Sequence, residues 1–266
     1  MSTNRKMHLS TTLLTLLTTP LAEAHMHLIH PVPFNSTHNP HRLTPPDPYL
    51  SHPHGCCGPA SNYPLPCRGY LSLLSTPQGA PTATWSQASV QNFSLGGEGN
   101  HWGGSCQVGF VDLGLGGAEA WAGRQGFEEE VGVRVVRSFE GDCPHREGGT
   151  GEYGGQVFDF VVPRDLEVGT QVFVWGWFNR EGEGNWNCAA VEILGVDGEK
   201  RGRAGGVQGF EVPFADRPLM LMADVGNGCE TPRTTAEVRY PEPGPDVFRG
   251  DGVYPLELPV GNCRGR

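Results

Sequence analysis

Lysine is nearly absent from this chain of 266 residues, since Lys6 and Lys200 are the only two. With 19 basic side chains against 29 acidic ones and a formal net charge of −10, the chain has no Lys/Arg cluster. Nucleic acid and anionic membrane surfaces are therefore poor partners, because both are bound through counterion release at such clusters. Beyond residue 24 no apolar run approaches the roughly 18 residues that a membrane-spanning helix needs. The C-terminal Gly261-Asn-Cys-Arg-Gly-Arg266 is not the hydrophobic tail of a glycolipid anchor. No stretch has the apolar spacing of an amphipathic helix, and no internal repeat is visible. The chain is expected to be soluble, secreted and monomeric, with a neutral polymer or a cationic surface left open as its partner.

Residues 1–24 carry Arg5 and Lys6, then a run rich in leucine, and close with Ala22-Glu23-Ala24. That order of charge, apolar stretch and A-x-A site predicts a secretory signal peptide cut after Ala24. Removing it takes away two cations and one anion, so the remaining 242 residues carry a net charge of −11. Residues 25–266 are expected to form a single domain. The mature chain would begin His25-Met-His-Leu28, and its first residue offers an α-amine and an imidazole that can chelate one metal ion.

Residues 31–66 are rich in proline, histidine, asparagine and serine and predict a long surface loop region. Its histidines, His38, His41, His52 and His54, are expected to be solvated, because they lack the paired spacing of a closed zinc site. The chain has 8 cysteines, all beyond residue 24, an even number that fits an oxidising compartment. Four disulfides are expected, and the neighbours Cys56 and Cys57 are not expected to bond to each other. Asn35 and Asn92 head sequons compatible with glycosylation.

From residue 82 onward, short β-branched or alternating runs are separated by Gly, Pro, Asn and Asp. Strands are predicted at 82–86, 105–111, 131–138, 156–162, 171–178, 189–194 and 219–223. Seven such runs without helices predict an all-β, immunoglobulin- or fibronectin III-like antiparallel β-sandwich with long loops, stapled by disulfides. The charged, glycine-rich residues 197–209 predict an exposed loop. The proline-rich tail at 241–266 is expected to wrap the surface.

A histidine brace needs a second imidazole beside the terminal one, and copper suits such amine and imidazole ligands. The candidate is His101, in a glycine-rich loop just ahead of a strand that opens with Cys106. Several blocks follow one another along the chain: His25-Met-His-Leu, Asn100-His101-Trp-Gly-Gly-Ser-Cys-Gln107, Ser138-Phe-Glu-Gly-Asp-Cys143-Pro144, Phe173-Val-Trp-Gly-Trp-Phe-Asn179, Asn187-Cys188-Ala-Ala-Val-Glu192 and Gly226-Asn-Gly-Cys229-Glu-Thr-Pro232. In this the chain resembles the fungal lytic polysaccharide monooxygenases, most closely the chitin-active auxiliary activity family eleven. The resemblance implies a β-sandwich and one copper ion held by His25 and His101. It also implies the bridges Cys67–Cys188 and Cys106–Cys143, leaving Cys56, Cys57, Cys229 and Cys263 to pair among themselves in an order left open.

The chain departs from that family in two places. Trp102 follows His101 where the family has glycine, and its indole could stack on a sugar ring or close down as a lid on the loop. The tyrosine that the family carries three residues before Cys188 is missing. Asn185 stands at that position, Trp186 next to it, and Glu183 at the place of a nearby carboxylate that could position or protonate an oxygen species. The resemblance implies a secreted copper monooxygenase cleaving glycosidic bonds in crystalline polysaccharide, chitin rather than cellulose. It would use an external electron donor and hydrogen peroxide or dioxygen. An alternative is a brace protein that captures copper without cleaving anything, and a third is a passive carbohydrate-binding sandwich.

Overall fold

The computed structural model describes residues 25–58, 61–114, 131–149, 156–196 and 212–265. Residues 1–24, expected as a signal peptide, and residues 197–209 lie outside them. Two sheets dominate. The smaller has three strands in the order β1 (Met26–His30), β3 (Val90–Gly97) and β6 (Gln156–Val161). The larger has six, in the order β9 (Val247–Arg249), β5 (Val133–Glu140), β4 (Ser105–Val111), β7 (Gly169–Phe178), β8 (Gly184–Leu194) and β2 (Ala83–Ser86). Both edge strands of the larger sheet, β2 and β9, pair in parallel, and its interior pairs are antiparallel. The architecture is a β-sandwich.

The pattern of β6 alternates, with Gln156, Phe158 and Phe160 inward and Val157 and Asp159 outward, as a half-buried strand requires. Strands β4, β7 and β8 do not alternate, because the larger sheet is covered on both faces. Between the sheets lies an aromatic core that includes Phe93, Phe110, Phe139, Phe160, Phe173, Trp175 and Trp177. Trp186, Phe178, Val174 and Ala190 face the other way and are covered by Phe34, Leu71 and the segment at 220–223. That second cover comes from long loops, which is why the hydrophobic runs of β7 and β8 have no polar face.

Residues 219–223, expected as a strand, form only an isolated bridge between Leu219 and Arg134. The segment is buried, but its amides bond elsewhere: Met220 N donates to Val133 O, and Leu221 N donates to the side-chain oxygen of Gln107 at 2.9 Å. The tail does more than cover the surface, since Val247–Arg249 extends the larger sheet beside β5. Strands β1 and β3 went unpredicted from their pattern. β1 is five residues long with buried residues at Met26 and Leu28 only, too short for a periodic signal.

The structure has four disulfides: Cys56–Cys57, Cys67–Cys188, Cys106–Cys143 and Cys229–Cys263. The first corrects the expectation that adjacent cysteines would not join. Cys57 adopts φ 70°, within a turn flanked by Gly55 and Gly58, also at positive φ, so the local backbone is one that an ordinary extended pair does not offer.

Candidate metal centre

His25 is placed by the register of β1 against β3. Met26 faces Gly97, and Glu98 N donates to His25 O at 2.9 Å. Gly97 must be glycine here, because a Cβ on it would stand 1.9 Å from His25 O. His101 lies three residues beyond Glu98, so both histidines belong to one end of the β1–β3 pair.

Strand β1 is held on the larger sheet by two asparagines rather than by a ladder. Leu28 N donates to Asn187 Oδ1 at 2.8 Å, and Asn185 Nδ2 donates to Met26 O at 2.7 Å. Both side chains also donate to Leu50 O, tying the 31–66 region to the same strand. Asn185 Oδ1 accepts from Tyr63 Oη at 3.2 Å and from Arg68 at 3.3 Å. Asn185 thus commits both ends of its amide to the scaffold. Trp186 points into the opposite core, edge-on to Phe178, and its indole has only an N–H to offer. The two axial-position candidates are therefore structural, a distinction that spacing from Cys188 could not make.

Burial pushes the Tyr63 phenol up to about 12, against the opposing influence of the Arg68 guanidinium 3.6 Å above its ring. A folded-state value above the unfolded one means that the neutral phenol stabilises the fold fully below about pH 10 and that this stability is lost as pH rises toward about 12. The expected loss is on the order of 2–3 kcal/mol. Unfolding free energies by denaturant on either side of that window will measure it, and a flat profile would refute the assignment.

Around His25 the 31–66 region is not a solvated margin. The His52 ring centroid lies 4.3 Å from that of His25, and Cys57 Sγ lies 3.5 Å from His25 Nε2. The ring nitrogens of His25 and His52 and the Cys57 sulfur, which the disulfide withdraws from metal ligation, all fall within 4.8 Å of one another. This corrects the reading of His52 as a solvated histidine, because a loop contact some 27 positions along the chain has no local signature. His25 itself is 6% exposed, and its Nδ1 is buried without a hydrogen-bond partner. His41 is also engaged, with Nε2 3.2 Å from Pro81 O.

The second cluster gathers His101, Glu181 and Glu183, whose ligand atoms all lie within 4.8 Å of one another. His101 Nδ1 is 3.4 Å from Glu181 and Nε2 is 3.7 Å from Glu183. Both carboxylates sit on the turn from β7 to β8, which is organised by buried Asn179. Its Oδ1 accepts from Glu181 N and Glu183 N, and its Nδ2 donates to Glu183 Oε2 at 2.7 Å. Glu181 and Asn179 were not singled out from sequence. An N-x-E-x-E turn next to a strand end is their only signal.

The His101 loop is clamped from outside. Asn100 Nδ2 donates to His145 O and Arg146 O, and Arg146 donates to Trp102 O and to Glu237. Gly104 N donates to Glu237 Oε1, and a Cβ on Gly104 would stand 2.3 Å from Phe178 O. Trp177 supports His101 with ring centroids 5.9 Å apart. Trp102 is 69% exposed, so its indole is not closed down on the loop. Of the sequons, Asn92 is exposed on β3, whereas Asn35 is half-buried with Nδ2 donating to Tyr70.

No family model matches the chain. Among curated proteins it is 30% identical over 227 residues to the AA11 family lytic polysaccharide monooxygenase A of Aspergillus fumigatus, spanning 85% of either chain. It is 32% identical over 188 residues to monooxygenase B of that species, covering 66% of this chain and 41% of that one. An AA11 enzyme of Aspergillus oryzae is also 32% identical, over 57% of this chain and 34% of the other. Among solved structures, a cellulose-active polysaccharide monooxygenase from M. thermophila superposes with a TM-score of 0.34 at 11% identity, over 55% of this chain and 67% of that one. The assignment is carried by sequence identity over the length of the first relative: the chain belongs to the AA11 family of lytic polysaccharide monooxygenases, and is a polysaccharide monooxygenase.

Proposed function

We propose that the mature protein, beginning at His25 after loss of residues 1–24, is a secreted monooxygenase that holds one copper ion and oxidatively cleaves glycosidic bonds in chitin or a related polysaccharide. The observation that carries this reading is the His25 imidazole, buried with Nδ1 unpartnered, at the position where cleavage creates an α-amine. That amine, Cα, Cβ, Cγ and Nδ1 close a six-membered ring around one metal ion, so the orphaned atom is the one a chelate needs. His101 would complete the nitrogen set. When bound, copper supplies the one-electron chemistry by which hydrogen peroxide or dioxygen is activated, with electrons from an external donor.

The chain's own residues arrange what surrounds that ion. Glu181 faces His101 Nδ1, an outer partner of the kind that orients a ligating imidazole and leaves Nε2 to the metal. Glu183, held by Asn179, keeps a carboxylate on the Nε2 side, where it can hold or deliver a proton beside the reacting sugar. The exposed Trp102 indole offers a stacking face to a pyranose ring.

Copper-loaded mature protein incubated with chitin and a reductant is expected to release oxidised oligosaccharides detectable by mass spectrometry. Copper bound without any such product would exclude chitin as its substrate. Trp102→Ala is expected to weaken retention on chitin by roughly 3- to 10-fold, in line with about 0.5–1.5 kcal/mol for an aromatic contact, with copper affinity unchanged. Pull-down isotherms test this, and unaltered retention would remove Trp102 from the binding face.

A further inference from the structure

The disulfide between Cys56 and Cys57 lies against the imidazole on which the proposed copper site depends, with Cys57 Sγ 3.5 Å from His25 Nε2. A disulfide sulfur carries no hydrogen and can only accept. The contact is a hydrogen bond only if Nε2 bears the ring proton. A neutral imidazole has one N–H, so Nδ1 is then the lone-pair nitrogen. That is the buried atom without a partner, and the one that closes a chelate with the α-amine. Metal-ligating histidines are usually fixed in this manner by a carboxylate or carbonyl on the far nitrogen. At His25 the disulfide occupies that place.

The same bridge is the one a soluble reductant reaches. Cys57 is exposed, whereas each of the other three disulfides includes a cysteine that is 3% exposed or less. We propose that the Cys56–Cys57 disulfide presets the His25 imidazole for copper, and that its reduction by a soluble thiol weakens the site for Cu(II). The inference rests on the copper reading of His25 given above. In the reduction two thiol molecules deliver two electrons and two protons. The Sγ–Sγ bond breaks, Cys56 and Cys57 become thiols, and the two donors join as their own disulfide. A Cys57 thiol can donate to Nε2 as well as accept from it, so the tautomer with its proton on Nδ1 becomes accessible. In that tautomer the chelating nitrogen is blocked.

The test is nitrogen NMR of the copper-free mature protein labelled at histidine, combined with Cu(II) calorimetry. The oxidised protein is expected to show His25 with Nε2 protonated and Nδ1 bare. Anaerobic treatment with glutathione, verified by mass spectrometry to open only Cys56–Cys57, is expected to move His25 toward a mixture of tautomers. The double variant C56A/C57A, which brings no thiol to the metal, is expected to bind Cu(II) roughly 10-fold more weakly. A proton on Nδ1 in the oxidised protein would overturn the proposal, as would identical tautomers and identical affinities across the oxidised protein and the variant. Should the variant fail to fold, an unchanged tautomer in the reduced wild-type protein overturns it alone. If the tautomer responds as described but the oxidised protein binds no copper, the copper reading fails and the disulfide's control of the imidazole stands.

Discussion

Mature protein carrying one additional residue ahead of His25 is expected to bind Cu(II) more than 100-fold more weakly than protein beginning at His25. The extra peptide bond converts the amine into an amide and removes one arm of the six-membered chelate, while leaving the buried Nδ1 untouched. Loss of a direct ligand must cost more than the 10- to 100-fold that outer partners contribute. The same change should erase stabilisation by metal, which for a ligand at 100 times its dissociation constant amounts to about 2.7 kcal/mol. Calorimetry and thermal unfolding with and without copper measure both effects. Because His25 O and Met26 O keep their partners on Glu98 and Asn185, the metal-free fold should be unaffected. Equal affinity in the two forms would sink the brace.

Asn185→Ala is expected to cost about 3–5 kcal/mol of stability, among the largest single-residue effects available in this protein. Asn185 is fully buried and bridges Met26 O, Leu50 O, Tyr63 and Arg68. Truncation leaves these groups buried and unpaired, each with a desolvation cost of roughly 1–3 kcal/mol that partial relaxation reduces. It also removes one of two pegs that hold β1, so copper binding should weaken along with the fold. Denaturant unfolding and calorimetry on the same preparation test the pair. A loss under about 1 kcal/mol would mean that Asn187 and the Gly97 register suffice to hold the strand.

That mutation separates two ways of reading the stretch before Cys188. Counting back from the cysteine aligns Asn185 with a family tyrosine, and so suggests a residue facing the metal. Strand β8 instead begins at Gly184, so Asn185 and Asn187 share the face that carries β1, and Trp186 takes the other. Alternation along a strand, which no count from a neighbouring motif contains, decides where each side chain points.

Features that depend on short spans of chain were legible in the residues alone. Turn residues between β-branched runs marked out a sandwich, and the ordered motifs joined the chain to a family, while the A-x-A site carries the proposal that His25 becomes a terminus. Contacts between segments far apart in the chain emerge only once it has folded. These are the asparagine pegs from β8 to β1, the two-faced burial of the larger sheet, and Glu181 beside His101. The approach of His52 and the Cys56–Cys57 disulfide to His25 is the clearest case. A proline-rich loop has no periodicity to reveal which of its residues turn inward, because its side chains are ordered by the surface they cover and not by a repeating backbone.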